Sequence, residues 1–168
     1  MKIIDLARTL TNVVNNNQFA GQYGNELALE KEVYNILKNT INKELHLSDK
    51  DLDKLIISHG ETKEEKERWS KTKVWQDVII AGCRNTSDIV VKLLDKETIA
   101  VQIKYAKGRI TTAIQTVVGQ CIIASLRHPV VIGLVFSKYA IKDSKKDEFV
   151  NLVNMLERHN IFLIVKKI

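Results

Sequence analysis

Apolar residues recur at helical spacing from the start of the chain. Ile3, Ala7, Leu10 and Val14 predict an amphipathic helix over residues 3–14, interrupted by Asn15-Asn16-Asn17. Residues 21–24, bounded by glycines, read as loop. A second helix is predicted from Asn25, its own N-cap, to about Asn42, with Leu29, Val33, Ile36, Leu37 and Thr40 on one face. Ser48 caps a third, which carries Leu52, Leu55 and Ile56 and which Gly60 ends. Residues 61–73 are mostly charged and fit a loop, an exposed helix or an insertion.

After Lys73 the period changes. Val74–Ala81, Asp88–Leu94 and Ile99–Tyr105 read as strands, and Asp95-Lys96-Glu97-Thr98 between the last two has turn composition, which predicts a hairpin. From Thr111 or Thr112 a helix places Ile114, Val117, Val118, Cys121, Ile122 and Ser125 on one face; Pro129 marks its end. Val130–Phe136 is a continuous apolar run, as a strand covered on both faces requires. A last helix carries Phe149, Leu152, Val153 and Leu156, and Ile161–Val165 forms a final strand. Helices, a three-strand meander, then helix, strand, helix, strand predict one α/β domain: a central mixed sheet flanked by helices, with residues 1–20 as a helical extension.

Composition narrows the class. The 168 residues are 45% hydrophobic with a single proline, which excludes wholesale disorder and collagen-like repeats. No apolar run reaches membrane-spanning length, so a soluble, cytoplasmic protein is expected. Cys83 and Cys121 are too few for a disulfide framework, and His46, His59, His128 and His159 lack metal-site spacing. The net charge of +6 is uneven: residues 1–100 hold 15 basic and 16 acidic side chains, and residues 101–168 hold 11 and 4. A basic excess gathered in one part of the chain suits a polyanion such as DNA.

Lys104 ends an otherwise apolar strand, where a lysine needs a partner or a task. Alternation sends Gln102 and Lys104 to one face and Ile103 to the other. With Asp88 on the preceding strand, the segments Ser87-Asp88-Ile89-Val90-Val91 and Val101-Gln102-Ile103-Lys104 resemble the signature of the PD-(D/E)xK nuclease superfamily. The likeness continues through Gly119-Gln120-Cys121-Ile122 and the strand from Val130, and back to the acidic helix from Asn25. It implies a restriction-endonuclease-like three-layer fold and is nearest in pattern to archaeal Holliday-junction resolvases and Mrr-type endonucleases. Ser87 stands where the signature has proline. Gln102 stands where it usually has an acid, as in Mrr-type enzymes, and a glutamine ligates a hard cation without adding charge.

The resemblance implies a Mg²⁺- or Mn²⁺-dependent DNA endonuclease, homodimeric because cutting two strands needs two sites. It assigns metal binding to Asp88, Gln102, the carbonyl of Ile103 and a glutamate on the helix from Asn25. Glu26 lies at the centre of that helix's apolar face and Glu30 on its flank; the likeness to resolvases favours Glu30. Lys104 would orient or deprotonate water, or stabilise the phosphorane. Gln120 is a further candidate on the following helix, and Lys107, Arg109 and Arg127 are candidate phosphate contacts. The alternative is a DNA-binding protein of the same fold with weak or no hydrolysis. Register supplies a test. A three-residue loop, Asp95–Glu97, sets Asp88 opposite Lys104, whereas a two-residue turn sends it to the other face.

Overall fold

The computed structural model describes residues 2–19, 23–59, 62–71, 78–80, 83–93 and 97–168. Helix α1 (Ile3–Asn16) and helix α2 (Glu26–Leu45) bury the stripes read from their spacing: Ile3, Leu6, Ala7, Leu10 and Val14 on the first, Leu29, Val33, Leu37, Thr40 and Ile41 on the second. Asn25 caps α2 by accepting the N–H of Ala28 at 3.0 Å. Helix α1 is no appendage, because its buried face shares one core with α2 and the central sheet.

Helix α3 (Asp49–Leu55) stops one residue short of the predicted stripe, and Ile56 begins a strand, β1 (Ile56–Ser58). Helix α4 (Lys63–Lys71) occupies most of the charged segment. Its start is fixed by a reciprocal capping box, in which Thr62 and Glu65 each accept the other's N–H. Trp69 on α4 packs against Ile57 and Val90.

Of the predicted strand 74–81, residues 74–77 and 81 lie outside the described residues. The rest, β2 (Val78–Ile80), pairs with β3 (Cys83–Asn85) in a separate two-stranded ribbon. The central sheet adds β4 (Ile89–Lys92), β5 (Thr98–Ala106), β6 (Val130–Ser137) and β7 (Ile161–Lys167), in the order β1-β4-β5-β6-β7. Pairs β1–β4 and β4–β5 are antiparallel, and β5–β6 and β6–β7 parallel. Among the described residues the third strand of the meander is therefore β1, not β2. The parallel crossovers run through α5 (Ile110–Ser125) and α6 (Lys146–Glu157).

The result is a three-layer α/β arrangement. Odd-numbered residues of β5 (Ile99, Val101, Ile103, Tyr105) share a core with α1 and α2, while Ala100 and Ala106 share one with α5 and α6. Every residue of β6 is buried, as its unbroken apolar run requires. Gly133 lies beside Gln102 in the β5–β6 register. A Cβ there would come within 2.7 Å of Val117 Cγ1 and 2.8 Å of Cys121 Sγ. The glycine thus lets α5 settle directly on the sheet over Gln102.

Candidate active site

Strand β5 is nine residues long and its antiparallel neighbour β4 only four, with Ile89 opposite Val101. Beyond Val101 the β4-side edge of β5 has no strand beside it among the described residues. Its outward N–H groups need other acceptors, and two carboxylates provide them. Asp88 Oδ2 accepts the N–H of Ile103 at 2.6 Å, and Glu26 Oε2 accepts the N–H of Tyr105 at 2.9 Å. In a strand a residue's N–H and C=O leave by the same edge, so the Ile103 carbonyl lies on the edge that carries both carboxylates.

Each acid is held by its own element. Asp88 donates its N–H to Val101 O (3.0 Å) and accepts that of His59 on its own carbonyl (2.8 Å), which pins its backbone between the strands. Glu26 is the first residue of α2, where the Asn25 cap fixes the helix start and the helix dipole favours an acid. Its other oxygen, Oε1, pairs with Lys104 Nζ at 2.9 Å, both side chains being a little over one-third exposed. Burial pushes the Asp88 carboxyl up to about 7; the Ile103 N–H opposes the rise, the Glu26 charge adds to it and Lys104 counters it.

Gln102 is fully buried on the α5 side of β5. Its Nε2 donates to Ser87 Oγ at 3.2 Å, while its Oε1 is buried without a hydrogen-bond partner. An orphaned buried carbonyl costs about 1–3 kcal/mol and calls for a reason. Gln120 Oε1 on α5 is in the same condition, and the Gln120 backbone carbonyl accepts Asn85 Nδ2 at 3.2 Å. Beside it, burial and then the charge of Asp88 push the Cys121 thiol up to about 12, which suits an inert core residue.

The register bears on the hairpin test. Lys92 pairs with Thr98 and the Leu93 N–H donates to the Glu97 carbonyl at 2.8 Å, so the connection encloses residues 94–96, which lie outside the described residues, rather than the expected 95–97. The ladder ends at Ile89 opposite Val101, and Asp88 sends its N–H to Val101 and its carboxylate to Ile103, so it sits at the Val101–Ile103 stretch of β5 rather than opposite Lys104. The structure brings Asp88, Gln102, Ile103, Lys104 and Glu26 together. Of the two glutamates, Glu26 makes the contacts to β5, whereas Glu30 lies partly buried one turn further along α2. Lys107 and Arg109 are exposed just past the end of β5. Arg127 lies at the far end of α5, next to His128, whose Nδ1 is 2.9 Å from Thr98 Oγ1; that is six residues, about 20 Å, along β5 from Lys104. It is not brought to this site. Ser87, which accepts Gln102 Nε2, and Asn85, bonded to the backbone carbonyl of Gln120, carry no local signal in the sequence.

Among the described residues no three His, Cys, Asp or Glu side chains gather as a metal site. A cation here would instead take two carboxylates, from Asp88 and Glu26, with the Ile103 carbonyl and Gln102 Oε1 as neutral oxygens. That donor set suits a hard ion such as Mg²⁺ or Mn²⁺. The buried, unpartnered oxygen of Gln102 is the feature of this structure that a cation ligand would explain. Among the described residues no helix is long and apolar enough to cross a membrane. No family model, curated protein or solved structure matches this chain.

Proposed function

We propose that this protein is a metal-dependent DNA endonuclease of the PD-(D/E)xK type, with Asp88, Glu26, Gln102 and Ile103 holding Mg²⁺ or Mn²⁺ and Lys104 at the scissile phosphate. The observation that carries this reading is the pair of carboxylates seated on successive outward N–H groups of β5, with the Lys104 ammonium bonded to one of them. A bound Mg²⁺ would supply charge relief at the phosphate and a more acidic water. Asp88 and Glu26 would fix that ion, and their hydrogen bonds to backbone orient them in advance. Lys104 would leave Glu26 for a phosphate oxygen and stabilise charge building there. Lys107 and Arg109, at the end of the same strand, would meet neighbouring phosphates. Cutting both strands of a duplex would call for a second copy of the chain related by a two-fold axis.

The neutrality of Gln102 favours a second reading, a DNA-binding protein with weak or no hydrolysis, since it leaves two carboxylates where three are common. Incubating labelled plasmid, linear duplex and four-way-junction DNA with the protein in Mg²⁺, Mn²⁺ or EDTA separates the two. Metal-dependent cutting supports the nuclease. Salt-sensitive binding with no cutting in either metal leaves only the binding protein.

A further inference from the structure

The parallel strands β5, β6 and β7 open at their carboxyl ends onto a groove of about 950 Å³ between the start of α5 and α6. Crevices at the carboxyl ends of parallel strands are common ligand sites. Its floor is apolar, formed by Ile110, Ile114, Ile141, Phe149 and Leu152. Five cations stand around it (Arg109, Lys138, Lys142, Lys145 and Lys167) against one carboxylate, Glu148, which Lys145 already pairs at 2.6 Å. Among the described residues none of the other four is ion-paired.

A second cleft of about 370 Å³ adjoins it, lined by Tyr23, Gly24, Tyr105, Ala106 and Lys107 and sharing Lys138 and Tyr139 with the groove. Tyr105 is the residue whose N–H binds Glu26, and Gly24 lies two residues before Glu26. The cleft therefore lies next to the candidate active site and joins the groove at Lys138 and Tyr139. Tyr139, 63% exposed, stands between the two depressions.

We infer that the groove receives an unpaired nucleotide of the DNA strand whose phosphate lies at Lys104, its base against the apolar floor and Tyr139, its phosphates on Lys138 and Arg109. The inference rests on the nucleic-acid reading of the neighbouring site and narrows it to a substrate class. An apolar floor within a cationic rim fits a molecule with a flat apolar body and several negative charges. The nearness of the adjoining cleft to Lys104 and Glu26, through Tyr105 and Gly24, favours a nucleotide of the bound strand over a separate anion. Continuous duplex keeps its bases stacked and cannot offer one without extrusion. The preferred substrate is therefore DNA with an unpaired nucleotide beside the cut, such as a flap, a splayed end or an open junction.

The test uses oligonucleotides carrying 2-aminopurine, either at the unpaired position next to a duplex end or within a continuous duplex, titrated in EDTA. Flap DNA is expected to bind roughly tenfold tighter than duplex, with a change in 2-aminopurine emission on binding. Tyr139→Ala and Lys138→Ala should each remove most of that preference and leave duplex affinity unchanged. Leu126→Ala, at the other end of α5 and also exposed, should change neither. Equal affinity for flap and duplex, or a preference and an emission change that survive both groove substitutions, would overturn the inference. Metal-dependent cutting of continuous duplex without preference would sink the groove and leave the nuclease. Flap recognition sensitive to Tyr139, with no metal-dependent cutting of any DNA, would keep the groove and sink the hydrolytic reading.

Discussion

Replacing Asp88 by Asn should make the metal-free protein more stable at neutral pH and unable to gain stability from Mg²⁺. The Asp88 carboxyl has an ordinary value of 3.8 and is pushed up to about 7 in the fold. Between those values the unfolded chain has released its proton while the folded chain keeps it. The unfolded state then binds fewer protons, so stability falls as pH rises through this window and stays at its lower level above 7. The full difference corresponds to about 4 kcal/mol, and because Asp88 is partly exposed about half of that, ~2 kcal/mol, is expected at pH 8. Asn is neutral throughout, and its carbonyl oxygen can still accept the Ile103 N–H that Asp88 accepts at 2.6 Å. For a chain of this length ~2 kcal/mol raises Tm by about 4–8 °C. Thermal unfolding of wild type and Asp88→Asn in EDTA should show this gain at pH 8 and almost none near pH 4. Adding Mg²⁺ at a hundred times its Kd should then stabilise wild type by about 2.7 kcal/mol and leave the variant unchanged. A variant no more stable than wild type at pH 8, or one whose gain is the same at both pH values, would refute the account of Asp88.

Three further outcomes follow from the same structure. Glu26→Gln should slow cutting by at least about a hundredfold, beyond what partners one step removed from a metal usually cost, while Glu30→Gln should change single-turnover rates far less; the reverse order would return the metal to Glu30. Gly133→Ala should lower stability by about 1–3 kcal/mol in denaturant titrations, because Val117 and Cys121 occupy the space its methyl needs; an unchanged midpoint would mean that α5 is not seated as described. Burial lowers the His128 imidazole from 6.5 to about 4, so the unfolded state binds the extra proton between those values. Stability from this group is complete above pH 6.5 and declines as pH falls towards 4. His128 ring resonances should accordingly stay at their neutral positions from pH 7.5 down to 5, and a midpoint near 6.5 would contradict the burial.

The elements with a repeating pattern were legible in the sequence. Asn25 marked the start of α2, and the unbroken run from Val130 marked a strand buried on both faces. Short edge elements were not. Ile56 continues the spacing of Leu52 and Leu55, so three residues of strand read as a last turn of helix until β4 is there to pair with them. Val78–Ile80 was legible as strand but not its partner: β2 pairs with β3 outside the central sheet, and Ile79 and Ile80 are exposed. Asp88 and Lys104 were readable because their spacing is local to one hairpin. The choice between Glu26 and Glu30 depends on where α2 begins relative to the end of β5, a tertiary relation. The groove draws on Arg109, Tyr139, Phe149 and Lys167, which only the parallel crossovers bring together. The unpartnered oxygens of Gln102 and Gln120 are likewise properties of the packing.

The most direct measurement is the single-turnover rate of DNA cleavage for wild type, Asp88→Asn and Lys104→Ala, each folded and each shown to bind the same DNA in EDTA. The account predicts that wild type cuts in Mg²⁺ and stops in EDTA, and that each substitution slows cutting by about 10²–10³-fold while binding is kept. Cutting that persists in EDTA, or that both variants retain at the wild-type rate, would contradict it.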